Sequence, residues 1–260
     1  MHDRYQFAME IAQSAGAVLR EGFGNHKTVR YKSAIDLVTE YDEQSETLIT
    51  NAIKERFPQD GILAEESGVI EPGEARWVID PLDGTTNFAH GLPIFCVSIA
   101  FYQGDDPVFG VIYDPMREEL YQAMRGAGAM LNGERMQVSQ IKTLEKSLLV
   151  TGFAYKMDSA ADNNIQHFGD MVMRAQGVRR LGSAALDLAA IAAGRMDGYW
   201  EFDLHPWDWA AGILLVQEAG GMVSRVDGGA SLGDDPPSVL ASNSHLHEAL
   251  LQALNQHTNA

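Results

Sequence analysis

The sequence predicts an α+β protein in which helices and strands stack as mixed layers around two sheets. Three observations carry that expectation. Two amphipathic helical stretches open the chain, a run of short apolar segments suited to an antiparallel sheet follows, and beyond about residue 145 helical and extended patterns alternate. No repeat or low-complexity tract is visible, and residues 1–260 read as one domain with approximate halves 1–145 and 146–260.

Residues from about Arg4 to Gly22 place Phe7, Ile11, Ala15, Val18 and Leu19 on one helical stripe, and Gly22 and Gly24 end it. A second helix is predicted from near Thr39 to Phe57, where Pro58 stops it. Gly61–Glu65 and Arg76–Asp80 suit short strands, each ending in a carboxylate. Phe95–Tyr102, Val108–Tyr113 and Leu120–Met124 follow as strands, with turn signals at Gly126-Ala127-Gly128 and Asn132-Gly133. Ser147–Thr151, Asp197–Phe202, Gly221–Val226 and Ser238–Ala241 read as strands of the second half. Helices are expected over about Ala161–Gln176, Ser183–Ala193, Pro206–Ala219 and Asn243–Leu254, with Pro206 at a helix start and Gly220-Gly221 at its end. The Gly-, Asp- and Pro-rich segment Asp227–Pro237 reads as a surface turn.

Hydrophobic residues make up 45% of the chain, enough for a sizeable core, and the formal net charge is −17. That field repels nucleic acid and anionic membranes, and it repels a phosphate ester unless bound cations intervene. Its bulk could equally serve solubility. The single cysteine, Cys96, excludes an internal disulfide and lies in an apolar run that suits a buried, inert thiol. The N-terminus has no signal-peptide pattern and no window approaches a membrane span, so a cytoplasmic protein is expected.

The chemistry concentrates in Trp77-Val78-Ile79-Asp80-Pro81-Leu82-Asp83-Gly84-Thr85-Thr86-Asn87-Phe88. An apolar strand ends at Asp80, Pro81 turns the chain out of it, and Asp83 follows three residues on, so both carboxylates can face one space at a sheet edge. Gly84-Thr85-Thr86 then offers free N–H groups at a helix start, which favours phosphate. Two carboxylates and the Leu82 carbonyl are the oxygen donors a hard ion such as Mg²⁺ takes, and zinc-type His/Cys spacing is missing. Glu65-Glu66 after an apolar run reads either as a solvated pair or as a further ligand. Asp208, in the first turn of its helix, can simply complement the helix dipole; set between Trp207 and Trp209, it can also be a shielded acid that wants a cation.

Gly61–Ser67, Trp77–Phe88 and Pro206–Gly221 together resemble the inositol monophosphatase family of magnesium-dependent, lithium-sensitive sugar phosphatases. Lys32–Thr39 and Arg179–Leu188 extend the resemblance over nearly the whole chain. It implies an alternating αβαβα sandwich, commonly dimeric. It implies that Glu65, Asp80, the Leu82 carbonyl and Asp83 bind the first metals, that Asp80, Asp83 and Asp208 share the second, and that Asp42 lies near a weaker third; Asp42 could instead be a charge on an exposed helix face. Thr85 matches the hydroxyl that helps Glu65 orient and deprotonate the attacking water. Two Mg²⁺ ions about 3.5–4 Å apart would hold attacking and leaving oxygens in line, with no covalent intermediate. Asp83, Gly84, Thr85, Ser183, Ala184 and Asp208 fall in the implied substrate pocket, as do Arg179 and Glu201. The last two could also be surface charges. Myo-inositol 1-phosphate is the implied substrate, with histidinol phosphate, fructose 1,6-bisphosphate and nucleotide 3′-phosphates as alternatives. Some relatives act partly through protein partners, so a regulatory protein that retains the site is the alternative class.

Overall fold

The protein is described here by a computed structural model that covers residues 1–25, 29–31, 37–71, 73–153, 164–230 and 238–256. The helices are α1 (His2–Gly22), α2 (Glu40–Arg56), α3 (Thr85–Ala89), α4 (Ile165–Arg174), α5 (Ala184–Ala192), α6 (Pro206–Glu218) and α7 (His247–Leu254). A small antiparallel pair joins β1 (Val29–Tyr31) to β2 (Leu37–Thr39). The large sheet contains β3 (Gly61–Ala64), β4 (Gly68–Glu71), β5 (Ala75–Asp83), β6 (Cys96–Gln103), β7 (Asp106–Asp114), β8 (Glu119–Met124), β9 (Gly128–Leu131) and β10 (Glu134–Arg135), in the order β10-β9-β8-β7-β6-β5-β3-β4. The smaller sheet runs β12 (Gly177–Arg179), β11 (Leu148–Thr151), β13 (Gly198–Phe202), β15 (Ser238–Asn243), β14 (Gly221–Ser224).

Five layers result. The pair α1/α2 covers one face of the large sheet, α5/α6 fill the space between the sheets, and α4/α7 cover the outer face of the smaller sheet. The alternation of β6 records this arrangement. Val97, Ile99 and Phe101 enter the core under α1 and α2, while Cys96, Ala100 and Tyr102 enter the core shared with α5 and α6. Because helices cover both faces, the strand is buried from Cys96 to Tyr102 and apolar there except for Ser98. The middle layer is tightly spaced: a Cβ on Gly110 of β7 would stand 2.7 Å from the Ala211 carbonyl oxygen of α6, so only glycine permits this approach.

Most predicted elements fall within a residue or two of the observed ones, and the departures have local causes. The strand expected to leave the sheet at Pro81 instead runs to Asp83, with its register against β6 shifting between Asp80 and Asp83. Proline, which has no N–H to give to a ladder, is tolerated at such a bulge. The helix expected from Asn243 begins at His247, because Asn243 still pairs in β15 and its side-chain oxygen accepts the N–H groups of His245 and Leu246. The helix expected over 161–176 is seen as Ile165–Arg174, and residues 161–163 lie outside the described residues. The Gly221–Val226 strand stops at Ser224, where a turn joins the Arg225 N–H to the Gly229 carbonyl. Residues 32–36 of the Lys32–Thr39 string and 231–237 of the predicted surface turn also lie outside the described residues. Among the described residues no helix is long and apolar enough to cross a membrane.

Candidate active site

Strand register brings the first acids together. Strands β3 and β5 run parallel with Ala64 beside Ile79, and the Glu65 N–H bonds the Ile79 carbonyl, so Glu65, just past the end of β3, lies beside Asp80 of β5. Glu46 of α2 holds the Glu65-Glu66-Ser67 turn: its carboxylate accepts the Glu66 N–H at 2.8 Å and the Ser67 hydroxyl. The bulge between Asp80 and Asp83 then turns Asp83 toward the second half of the chain. There the start of α5 clasps it, with Ser183 Oγ at 2.5 Å and the Ala185 N–H at 2.8 Å from Asp83 Oδ2. The third acid comes from α6, where Asp208 accepts the His205 N–H at 2.7 Å and so caps its own helix.

Glu65, Asp83, Gly84, Ser183, Glu201 and Asp208 line one cavity of about 410 Å³, with Ala184, Arg180 and Trp207 also on its wall. Asp80 lies behind it, 2% exposed, accepting the Leu82 N–H at 3.0 Å. Burial pushes the Asp80 carboxyl well above the usual carboxylate range, and the charges of Glu65, Asp83 and Asp208 push it further. Asp208 is raised well above that range by burial and then by Asp83 and Glu65, although the residue keeps some surface on the cavity. Burial raises Asp83 too, opposed by its donors from α5. The four acids are thus electrostatic neighbours. Among the described residues, however, no three His, Cys, Asp or Glu side chains stand close enough together to enclose a metal ion as they are now turned.

Asp42 is fully buried, which removes the exposed-charge alternative. It accepts the Thr39 N–H and hydroxyl, closing a capping box at the start of α2, and it accepts the Thr85 hydroxyl at 2.9 Å. Thr85 Oγ also lies 2.9 Å from the Leu82 carbonyl, so one hydroxyl ties α2, the bulge and α3 together. Burial drives the Asp42 carboxyl to about 6 against these hydrogen bonds. Cys96 is buried 3.7 Å from Asp83 Oδ2, and burial pushes its thiol up, as suits an inert neutral group.

Glu201, on β13, reaches the cavity. Its Oε2 accepts the Tyr199 hydroxyl at 2.8 Å, and Gly152 abuts its carboxyl so closely that a Cβ there would fall 2.0 Å from Oε1. Burial raises Glu201 to about 7, eased by Tyr199 and Arg180. Arg179 is not brought to the cavity. It ends β12 exposed, bonding its own strand's Val178 carbonyl, and the chain turns so that Arg180 lines the wall instead. Sequence reasoning also passed over Asp187, Gly152 and His205, which line the same cavity. Only Asp187 left a trace, as an acid in the first turn of a helix that is otherwise apolar.

Comparison with known proteins agrees with this architecture over its full length. The Inositol monophosphatase family profile matches residues 1–259. An inositol-1-monophosphatase of Synechocystis sp. is 48% identical over 96% of this chain and 88% of its own. The Nus factor SuhB of Pseudomonas aeruginosa is 43% identical over 99% of this chain and 97% of its own. The solved structure of inositol monophosphatase from Anabaena (Nostoc) sp. superposes with a TM-score of 0.89 at 44% identity, covering 98% of this chain and 96% of that one. With a family match over residues 1–259 and a superposition over nearly the whole chain, this chain belongs to the inositol monophosphatase family and is a phosphoric monoester hydrolase.

Proposed function

We propose that this chain hydrolyses a small phosphorylated polyol, first of all myo-inositol 1-phosphate, in a Mg²⁺-dependent reaction with water as the nucleophile. The observation that carries the reading is the crowding of Glu65, Asp80, Asp83 and Asp208 about one cavity that also holds Glu201. The donor set fits a hard cation: it is all oxygen, and the charges of its other members raise the Asp80 and Asp208 carboxyls in a way a bound cation would relieve. Glu65, Asp80, Asp83, Asp208 and the Leu82 carbonyl are the groups that would hold two Mg²⁺ ions. Bound there, Mg²⁺ supplies Lewis-acid polarisation and charge neutralisation for a dianionic ester.

The chain's own residues do the rest. Glu65, steadied by Glu46 through the following turn, takes the proton of the attacking water. Thr85 donates its own proton toward Asp42 or Leu82, which turns its oxygen lone pairs to that water as acceptors. The N–H groups of Gly84 and Thr85 meet charge growing on the phosphoryl oxygens. Glu201 accepts substrate hydroxyls, and a site built this way discriminates against esters that lack them. Cytoplasmic location and a homodimer belong to the same reading, and sedimentation tests the dimer.

The test is phosphate release from inositol, histidinol, fructose and nucleotide esters with and without Mg²⁺. Inositol 1-phosphate should be cleaved fastest and EDTA should abolish release; no Mg²⁺-dependent release from any ester would sink the reading. Calorimetric titration of Mg²⁺ separates two ions from a set that includes a third near Asp42. A second reading is favoured by the 43% identity to a protein named Nus factor SuhB: the chain works through a protein partner and keeps the site. Recovery of a stoichiometric partner together with silence across the ester panel would select it.

A further inference from the structure

We propose that Asp187 is a second substrate-binding carboxyl, which hydrogen-bonds a ring hydroxyl of the ester beside the hydroxyl taken by Glu201. This deepens the polyol phosphatase reading above and rests on it.

Asp187 is the fourth residue of α5, 1% exposed, on the wall of the same cavity as Glu201. Its Oδ1 is buried, and among the described residues it has no hydrogen-bond partner. That isolation distinguishes it from the other acids of the site. Asp83 has Ser183 and Ala185, Asp42 has Thr39 and Thr85, Glu201 has Tyr199, and Asp208 has the His205 N–H. Native proteins pair nearly all such buried polar atoms, so an orphan in a cavity wall signals a partner that arrives from outside. The start of a helix explains the sign of the charge at this position; it does not explain burial without a donor.

The surroundings set the chemistry of that partner. The charges nearest Asp187 are Glu201 and Asp83, both acidic, and the cation Arg180. Arg180 is itself exposed at the rim, and no hydrogen bond joins it to Asp187 Oδ1. An anionic part of the ligand is therefore disfavoured beside Asp187, and a group that donates hydrogen bonds is favoured. Glu201 projects from β13 and Asp187 from α5, so the two carboxyls approach the cavity from adjoining elements. Neighbouring hydroxyls on one ring match such a pair. No protein group takes the hydrogen-bonding capacity of Oδ1, so it remains available to a ligand hydroxyl.

The test compares wild type with Asp187→Ala and Asp187→Asn on myo-inositol 1-phosphate and on phenyl phosphate, which has no hydroxyls. Asp187→Ala should raise KM for the inositol ester about tenfold or more and leave phenyl phosphate within about twofold. Asp187→Asn, which keeps shape and polarity, should recover most of the loss. Loss of an unpartnered buried carboxyl should leave the melting temperature of Asp187→Ala equal to or above wild type. Equal impairment on both esters, or none on either, overturns the proposal. Equilibrium binding of inositol 1-phosphate, measured calorimetrically with Ca²⁺ in place of Mg²⁺, separates the two readings. Binding by wild type without turnover sinks the phosphatase reading alone. An unchanged Kd in Asp187→Ala, or no binding by wild type, sinks the role of Asp187.

Discussion

Asp83 is held by donors that include Ser183, the Ala185 N–H and Cys96, and Asp83→Asn keeps that shape while removing the charge. If Asp83 serves the reaction through its charge, turnover at saturating Mg²⁺ falls by at least about 10²-fold; near-normal turnover refutes the role. Glu201 makes a different residue-scale prediction. Its carboxyl stands at about 7 in the folded protein against a usual 4.5, because burial disfavours the charge. Between those values the native state keeps a proton that the unfolded chain has released. Stability is therefore full below about pH 4.5 and declines as pH rises toward 7. Asp42 adds a loss of the same sign between 3.8 and about 6. In metal-free protein, Glu201→Gln should remove its share, roughly 3 kcal/mol by the usual conversion per pKa unit. The readout is the difference between wild-type and variant urea midpoints at pH 4.5 and pH 7, in which groups that shift the other way, such as Glu119 beside Arg195, cancel. A wild-type-minus-variant difference that is flat across that window contradicts the buried, protonated Glu201.

Elements decide which residues can meet. The parallel register of β3 and β5 is what makes neighbours of Glu65 and Asp80, and the β5 bulge is what turns Asp83 toward α5. Two glycines test this scaffold in opposite ways. At Gly110 the added methyl would meet the backbone of Ala211, which cannot rotate aside. Gly110→Ala should cost about 1–3 kcal/mol, seen as a lowered urea midpoint. At Gly152 the obstacle is the end of the Glu201 side chain, which can move. Gly152→Ala should therefore fold with a near-normal midpoint yet raise KM for a polyol ester severalfold. A normal KM would show that Glu201 does not depend on Gly152 for its position. The same contrast explains what could be read beforehand. Period-two and helical patterns locate strands and helices because burial acts on each residue locally, and Asp80-Pro81-Leu82-Asp83-Gly84 announces itself as a contiguous string. Asp187 and Arg180 depend on what lies across the cavity from them, and no local pattern encodes that. Arg179 was assigned in place of Arg180 because adjacent arginines differ only in which way the end of β12 turns.

At the scale of the whole molecule, a net charge of −17 coexists with a cavity that gathers acids. Self-repulsion of this size lowers the stability of the compact state, most strongly where Asp80, Asp83 and Asp208 crowd together. A divalent cation bound by the folded chain and not by the unfolded one would oppose both effects. By mass action, Mg²⁺ at 100 times its Kd stabilises by about 2.7 kcal/mol per site, which is about 5–10 °C in melting temperature for a chain of this size. Part of any increase could come from screening of the surface charge alone, so KCl at matched ionic strength is the control. If the acids form a specific site, Mg²⁺ raises the melting temperature well beyond KCl, and Asp208→Ala removes most of the excess. The sign of the pH dependence is fixed by the same groups. Burial and mutual charge favour their protonated forms, so protons compete with the cation and the excess must shrink as pH falls. Equal shifts from MgCl₂ and KCl, or an excess that survives in Asp208→Ala, would mean that the acids crowd the cavity for some purpose other than holding metal.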